Sequence, residues 1–534
     1  MPVASAGSRF PLHLSVQSKT LALAALCLAA LILNLDITIV NVALPALVRQ
    51  LHATTTDLQW VVDAYNLVFA ALVLVAGSLS DRFGRKGILL AGIGVFGAAS
   101  VAGSLCTTAG ELIAARAVMG VGAAMVFPAT LSLLTNIFTQ RSERARAIGM
   151  WGACAGVGIA LGPITGGWLL EQFWWGSIFV CMAVIAAVVV AGVAIAVPTS
   201  RDPATAPVDS WGLMLSAAGM GLLILGVIQA PDWGWGSATT IAVLVGGAAV
   251  LTGLVAVEQR NAHPMIDVGL FRNPRFTAAS GAVAIAFFAL LGFIFLVTQY
   301  FQVIKAYSPL STGVRLLPVA AAVALASVAG TKLAVRIGNK VIVAAGLALF
   351  GLALLWTSRE SQATPFLVIA AQEVVLGAGL GLTQAPAAEA ILGAVPAEKS
   401  GIASAVNATT RLFGGALGVA VIGSVAGSLY TSRLLAGLPH GLPPAAVTAA
   451  RGSVGGAAAA AQQLSHAGLS AAARQLDATA VAAFLHGNNY AGAVAAGVAA
   501  AGFLIAIFLL PARPRETARQ PMPVPEALTS GNEG

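Results

Sequence analysis

Two ionisable residues, Asp36 and Arg116, lie inside long apolar runs of this 534-residue sequence. A charged side chain at the centre of a membrane-spanning helix costs about 2.5–3.5 kcal/mol on insertion scales, so it usually faces a cavity and has a partner or a function. A carboxylate in that setting can bind a proton from one side of a membrane and release it to the other. The pattern predicts a proton-binding role for Asp36, with a permanent ion pair to an arginine as the structural alternative.

Other polar side chains lie in or beside apolar runs and are candidates for cavity or coupling roles. Asn34 and Asn41 flank Asp36 and can supply hydrogen bonds to it. Asp63 lies about one turn inside the second apolar run, where solvent can still reach it.

Glu373 and Arg411 lie deeper in two later runs, either as cavity or coupling residues or as a structural pair with one another. Asn407 lies one helical turn before Arg411. The sequence has no clustered His, Cys or Asp ligands, no nucleophile motif and no Gly-x-x-x-x-Gly-Lys-Ser/Thr phosphate loop. We therefore predict no metal, no cofactor and no enzymatic activity.

Two segments that contain several glycines are candidates for a role in conformational change rather than in proton binding. The segment from Gly77 to Lys86 carries charge on four of its ten residues, against 9% in the whole chain, as in a turn that joins two membrane helices. The segment from Gly158 to Gly167 contains Pro163, so we expect a bent, closely packed helix. The residues that we predict to act in conformational change are Gly77, Asp81, Arg82, Gly84, Arg85 and Lys86 in the first segment, and Gly158, Gly162, Pro163, Gly166 and Gly167 in the second.

The composition places these residues in a membrane protein. Hydrophobic residues make up 58% of the chain and the mean hydropathy is +0.89, which a soluble surface does not tolerate. Apolar windows of about 20 residues exclude a transmembrane β-barrel and leave helices as the spanning elements. The net charge of +8 comes from cations in short loops, so we do not predict nucleic-acid binding.

Hydropathy windows predict an all-α protein with fourteen transmembrane helices. They form an N-terminal six-helix bundle at 20–198, a linker with an inserted helix pair at 199–275, and a C-terminal six-helix bundle at 276–511. The predicted windows are 20–45, 58–79, 87–106, 111–135, 146–170, 175–198, 211–230, 236–257, 276–302, 310–332, 340–357, 363–391, 401–430 and 490–511.

Three segments lie outside these helices. We predict a cytoplasmic N-terminus at 1–19, an extracytoplasmic loop at 431–489 with a short surface helix from Gln462 to Leu485, and a disordered cytoplasmic tail at 512–534. With both termini in the cytoplasm, nineteen of the 28 Lys and Arg residues fall inside and seven fall outside, which favours this orientation.

An internal repeat relates the two bundles. The segment Arg82-Phe83-Gly84-Arg85-Lys86 has a weaker copy in Arg336-Ile337-Gly338-Asn339-Lys340, and Arg116 corresponds to Glu373. Transporters are often built from such related halves, with the substrate site near the midplane between them.

The motifs together resemble those of the major facilitator superfamily, and within it the fourteen-helix drug/proton antiporters. Gly77 to Lys86 matches the loop pattern G-x-x-x-D-R-x-G-R-K, and Leu35 to Pro45 resembles the first-helix signature. Arg116 with Gly120, Gly122 and Pro128 resembles the fourth-helix motif, and Gly158 to Gly167 resembles the fifth-helix antiporter motif.

The resemblance implies a monomeric secondary transporter in the inner or plasma membrane, driven by the proton gradient. Such a protein exports hydrophobic or amphipathic compounds, for example drugs, antibiotics and dyes, by alternating access. Arg116 would tune the protonation of Asp36, and Asp81 with its neighbouring cations would form a latch between helix ends. The alternatives are a dedicated exporter of one metabolite, siderophore or lipid, and a non-transporting receptor or scaffold.

Overall fold

The computed structural model describes residues 16–199, 209–261, 268–395, 400–439 and 441–510. Within these ranges the chain forms helices and no strand. The predicted tail at 512–534 and most of the N-terminal segment at 1–19 lie outside the described residues. The α-helices are α1 Val16–Leu51, α2 Thr55–Phe83, α3 Arg85–Ser104, α4 Ala109–Ile137, α5 Arg141–Gln172, α6 Ser177–Ala196, α7 Ser210–Trp233, α8 Ala238–Glu258, α9 Pro274–Gln299, α10 Pro309–Arg315, α11 Leu317–Ile337, α12 Asn339–Thr357, α13 Phe366–Leu392, α14 Ser400–Gly437, α15 Pro444–Gly452, α16 Val454–His466 and α17 Ser470–Leu509.

Local sequence sets where several helices begin and end. Thr54 caps α2 in a capping box with Asp57, and Thr108 caps α4 in the same way with Glu111. At the other end of α2, Gly84 has a φ of 113° and turns the chain directly into α3. Gly338, with a φ of 90°, makes the equivalent turn between α11 and α12, so the predicted sequence repeat is also a repeat of structure.

Thirteen helices in the described part of the chain are long and apolar enough to cross a membrane. Helix α2, with 29 residues, is as long as several of these and packs among them against α4 and α14. Each of the fourteen predicted windows overlaps one of these long helices. The predicted helix at 310–332 is broken at Leu316 into α10 and α11, because Pro318 has no N–H to donate to the Val314 carbonyl and its ring clashes with that carbonyl.

The segment around the predicted loop at 431–489 is more helical than expected. Helix α14 continues to Gly437 and α17 already begins at Ser470, so only 438–469 lies outside long helices. The predicted surface helix from Gln462 to Leu485 is wrong: α16 ends at His466, Gly468 turns the chain with a φ of 81°, and 470–485 belongs to α17. The segment is rich in Ala, Gly and Ser, and its alanines favour helix strongly although its glycines and serines are typical of a loop.

The helices pack as two bundles with an inserted pair at their side. Helices α1–α6 form the N-terminal bundle, and α9–α14 with α17 form the C-terminal bundle. In the inserted pair, α7 packs against α2 and α14, with Ile224 and Ile228 buried against Ala416 and Ala420, and α8 packs against α7. We call the end that carries α15 and α16 the cap end, and the end that carries Gly84 and Gly338 the turn end.

Hydrogen bonds join the two bundles toward the cap end. The Thr55 hydroxyl donates to the Gly452 carbonyl at 2.9 Å, and the Gln59 amide donates to the Ala420 carbonyl at 2.9 Å. The Gln302 amide donates to the Val42 carbonyl at 2.8 Å. These contacts close the cap end in the observed state.

Candidate functional site

Asp36 of α1 and Arg116 of α4 meet in the interior of the N-terminal bundle. The distance between Arg116 Nη1 and Asp36 Oδ2 is 2.6 Å, and the two side chains are 1% and 0% exposed. Arg116 Nε donates to the Val61 carbonyl at 2.9 Å, and the guanidinium carbon lies 4.4 Å from the centroid of the Tyr65 ring. Three helices therefore fix the position of Arg116.

Only one oxygen of the Asp36 carboxylate takes part in this contact. Its Oδ1 is buried and has no hydrogen-bond partner. A proton and the Arg116 guanidinium therefore compete for one carboxylate, and a change in either changes the charge of the site. The structure brings together the two residues that the resemblance links in function, and the proton-binding role of Asp36 stays a prediction.

Asn34 and Asn41 do not bind Asp36, so that expectation is wrong. The Asn34 amide donates to the Ala30 carbonyl at 2.8 Å, and the Asn41 amide donates to the Ile37 carbonyl at 2.9 Å. Both bonds lie within α1, where the carbonyl four residues earlier is always within reach.

Asp63 is fully buried, with 0% exposure, and neither carboxylate oxygen has a hydrogen-bond partner. The expectation that solvent reaches it is wrong. The first turn of its helix lies against the last residue of α15: Thr55 bonds to Gly452, and a Cβ on Gly452 would lie 3.5 Å from the Thr54 methyl group. Helix α2 also begins at Thr55, before the predicted window at 58, so Asp63 lies about two turns inside it and not one.

Glu373 and Arg411 are not brought together, and the alternative in which they pair is wrong. Glu373 is 0% exposed and neither of its carboxylate oxygens has a hydrogen-bond partner. The Arg411 guanidinium instead lies over the Phe287 ring, 5.1 Å from its centroid. The Asn407 side-chain oxygen, on the same helix, is buried without a partner.

The glycines of α5 allow that helix to contact α1 on both sides of Asp36. A Cβ on Gly158 would lie 2.5 Å from the Leu31 carbonyl oxygen, and one on Gly166 would lie 2.7 Å from Ile39 Cγ1. Gly162, between them, faces Leu35 and Thr38. The predicted close packing of this segment is confirmed, and α5 stays α-helical through Pro163.

The same segment also contacts the other bundle. A Cβ on Gly167 would lie 2.5 Å from the Pro309 carbonyl oxygen, and Gly313 of α10 packs against the Pro163 backbone. Leu310 N donates to the Glu171 carboxylate at 3.2 Å beside this contact. One short stretch of α5 thus connects the surroundings of Asp36 to the closed cap end.

The predicted turn at Gly77 to Lys86 forms at the turn end. Gly77 packs against Pro128 of α4, and Lys86 Nζ donates to the Ala194 carbonyl at 2.8 Å at the end of α6. The Arg82 guanidinium lies 5.6 Å from the centroid of the Phe83 ring. The side chain of Asp81 lies outside the described residues, so the latch stays a prediction.

Sequence reasoning missed Tyr65 and the Val61 carbonyl as partners of Arg116. The available signal was their spacing of four residues, which places both on one face of α2. It also missed Gly313, because nothing in the sequence indicates which glycine of one bundle meets Pro163 of the other.

The chain is similar to known proteins along most of its length. A family model described as the Major Facilitator Superfamily matches residues 26–419. The multidrug efflux pump LfrA of Mycolicibacterium smegmatis is 37% identical over 478 residues, which are 89% of this chain and 93% of that protein. The tetracenomycin C resistance and export protein of Streptomyces glaucescens is 30% identical over 517 residues, which are 95% of each chain.

Solved structures with the same arrangement of helices are more distant in sequence. The crystal structure of a bacterial homologue of the human lysosomal transporter Spinster, in its inward-facing and unoccupied conformation, superposes with a TM-score of 0.64. The match covers 93% of this chain and 98% of that chain at 14% identity, so it bears on the fold alone.

Proposed function

This chain belongs to the Major Facilitator Superfamily, and from that membership we propose that it is a secondary active transporter that exports hydrophobic or amphipathic compounds in exchange for protons. The observation that carries the proposal is the similarity, over nearly the whole length of both chains, to proteins named for multidrug efflux and antibiotic export. The buried Asp36–Arg116 contact supports the coupling to protons.

In the proposed cycle, substrate enters from the turn end while the cap end is closed. The bundles then rock to open the cap end, and a proton binds Asp36 as substrate leaves. The neutral acid no longer attracts Arg116, which keeps its contacts with the Val61 carbonyl and the Tyr65 ring. The proton leaves toward the turn end when the bundles rock back. The protein needs no cofactor and no catalytic residue for this exchange, and each monomer works alone.

We place the chain in the inner or plasma membrane as a multi-pass protein with both termini in the cytoplasm. The distribution of Lys and Arg supports this orientation, which makes the cap end extracytoplasmic. Uptake from the cytoplasm and release outside then follow from the cycle.

The proposal is tested by efflux of a fluorescent organic cation from cells that express the chain, with and without a protonophore. Expressing cells should retain less dye than cells with empty vector, and the protonophore should remove the difference. Equal retention with every dye and drug in a broad panel would contradict the proposal. Efflux of a single compound class would instead favour the dedicated exporter of one metabolite, siderophore or lipid.

Asp81→Asn is expected to lower the efflux rate while leaving equilibrium drug binding largely unchanged, because the predicted latch holds one state and contacts no substrate. Dye efflux from cells and drug binding to the purified protein measure the two effects. Asp477→Asn, the same change at an exposed site on α17, is the control. Unimpaired efflux by Asp81→Asn would contradict the latch.

A further inference from the structure

The C-terminal bundle contains a buried acid that the proposed cycle does not use. Glu373 lies on α13, fully buried, with both carboxylate oxygens unpartnered. The two buried or half-buried ion pairs, Lys19–Glu143 and Arg116–Asp36, do not include Glu373. A buried charge without a partner costs several kcal/mol, so this site favours the neutral, protonated acid.

A second acid, Glu360, lies toward the cap end from Glu373, close enough for its charge to act on Glu373. Glu360 belongs to the connection between α12 and α13, is 5% exposed, and interacts electrostatically with Glu373. Its Oε1 is buried and unpartnered. Glu360 also lines a cavity of about 20 Å³ together with Thr357, Phe293 and Asn488. That volume is sufficient for one water molecule, which needs about 10–15 Å³.

The groups around Glu360 leave it able to exchange a proton near neutral pH. Burial raises the pKa of Glu360 to about 8, and the Lys305 ammonium acts in the opposite direction. Lys305 is held elsewhere, since its Nζ donates to the Gln362 and Thr364 carbonyls at 2.6 Å. The other titratable groups facing Glu360 are Glu373 from α13 and the Tyr300 hydroxyl from the end of α9. In the described chain, α12, α14 and α17 present only neutral side chains to the cavity.

The repeat shows how this site differs from the one in the N-terminal bundle. Glu373 occupies the position that corresponds to Arg116, yet it has no counterpart of Asp36. Helix α9, which corresponds to α1, presents Phe293, Leu296 and Val297 to the cavity beside Glu360. The N-terminal site is an ion pair, whereas the C-terminal site is a lone acid connected to the cap end by a second acid.

We propose that Glu360 and Glu373 form a second proton-binding site, in which Glu360 receives a proton from water at the cap end and passes it to Glu373. The O–H bond of Glu360 breaks as its proton joins a water molecule in the cavity, and that water gives one of its own protons to the Glu373 carboxylate. The Glu360 carboxylate takes the next proton from water at the cap end, and Glu373 gives its proton to water at the turn end when the bundles rock back. This site rests on the proposed antiport, and it adds one proton per cycle to the proton carried by Asp36. The added proton increases the work available from the membrane potential.

Infrared difference spectroscopy of the purified full chain in lipid vesicles tests the site without requiring transport. Glu373→Gln, which is close in shape to the protonated acid, should remove one carboxylic-acid carbonyl band at neutral pH. Glu389→Gln changes an exposed acid on the same helix and should leave that band in place. Loss of a carboxylate band instead of the acid band in Glu373→Gln would show that Glu373 is ionised and would overturn the proposal.

The ratio of protons to substrate, measured in the same vesicles with a pH-sensitive dye, tests the relay. Glu373→Gln should lower this ratio by about one relative to Glu389→Gln, as expected for a second coupled site. Because Glu360 loses its proton as the pH rises through about 8, the wild-type ratio should fall there, and Glu360→Gln should abolish this pH dependence. An unchanged ratio in Glu373→Gln would overturn the relay. If that variant kept the ratio but no longer bound the substrate cation, Glu373 would be a substrate contact instead.

If no variant and no wild-type preparation transports any substrate, the antiport proposal fails on its own. The infrared band still decides whether Glu373 holds a proton. The two failures are therefore distinguishable.

Discussion

Asp36→Asn is expected to lower the proton-driven accumulation of substrate by about 50-fold while leaving downhill exchange intact. For an uncharged substrate, one proton moving down a potential of 100 mV supplies about 2.3 kcal/mol, which supports a concentration ratio of about 50-fold. Without a titratable group on α1, the contribution of this proton is lost and the ratio should fall by about that factor. Proteoliposomes with an imposed gradient measure accumulation, and counterflow without a gradient measures exchange.

The contact with Arg116 makes a stability control necessary. Asp36→Asn leaves a buried guanidinium without its counter-ion, which costs about 3–5 kcal/mol when one partner of a buried pair is removed. The double variant Asp36→Asn with Arg116→Gln removes both charges and should recover much of the thermal stability without recovering accumulation. Asp477→Asn, at an exposed site, should resemble the wild type in both measurements.

Two outcomes would contradict the assignment of Asp36. Full accumulation by Asp36→Asn would show that it carries no coupled proton. Accumulation restored by the double variant would show that the Asp36–Arg116 pair serves only to stabilise the bundle.

Features decided by local composition were predictable from the sequence. Hydropathy placed all fourteen long helices, because a bilayer requires about 20 apolar residues per span whatever the details of packing. Asp36 and Arg116 could be singled out because each is costly in an apolar run unless it has a partner, and the family resemblance implied that the two act together. The turns at Gly84 and Gly338 followed from a repeated glycine beside charged residues.

Features decided by packing between distant segments were not predictable. Asp63 is buried in a helix whose first turn bonds to the last residue of α15, and Arg411 faces Phe287 rather than Glu373. The amides of Asn34 and Asn41 donate to backbone carbonyls of their own helix and not to Asp36. Each outcome depends on rotamers and on contacts between helices, which hydropathy does not record.

Gly167→Ala is expected to shift the chain away from the state with a closed cap end. The added Cβ would lie 2.5 Å from the Pro309 carbonyl oxygen and 2.6 Å from Leu310 Cα, and backbone atoms cannot rotate away. Overpacking of this kind costs about 1–3 kcal/mol, which corresponds to a population shift of about 5–150-fold. Distances between spin labels at exposed Gln50 and Arg433, one in each bundle at the cap end, report this shift. The labels require replacement of the four native cysteines.

Two further variants of the same helix separate a conformational effect from simple damage. Gly156 has nothing within 4 Å of an added Cβ, so Gly156→Ala should leave the spin-label distances unchanged. Gly158→Ala would press on the Leu31 carbonyl within one bundle, so it should lower thermal stability in both states without favouring either. Of these three glycines, only Gly167 contacts the opposite bundle, and this contact must break when the cap end opens. If Gly167→Ala and Gly156→Ala gave the same distance distribution, α5 would not be part of the cap-end closure.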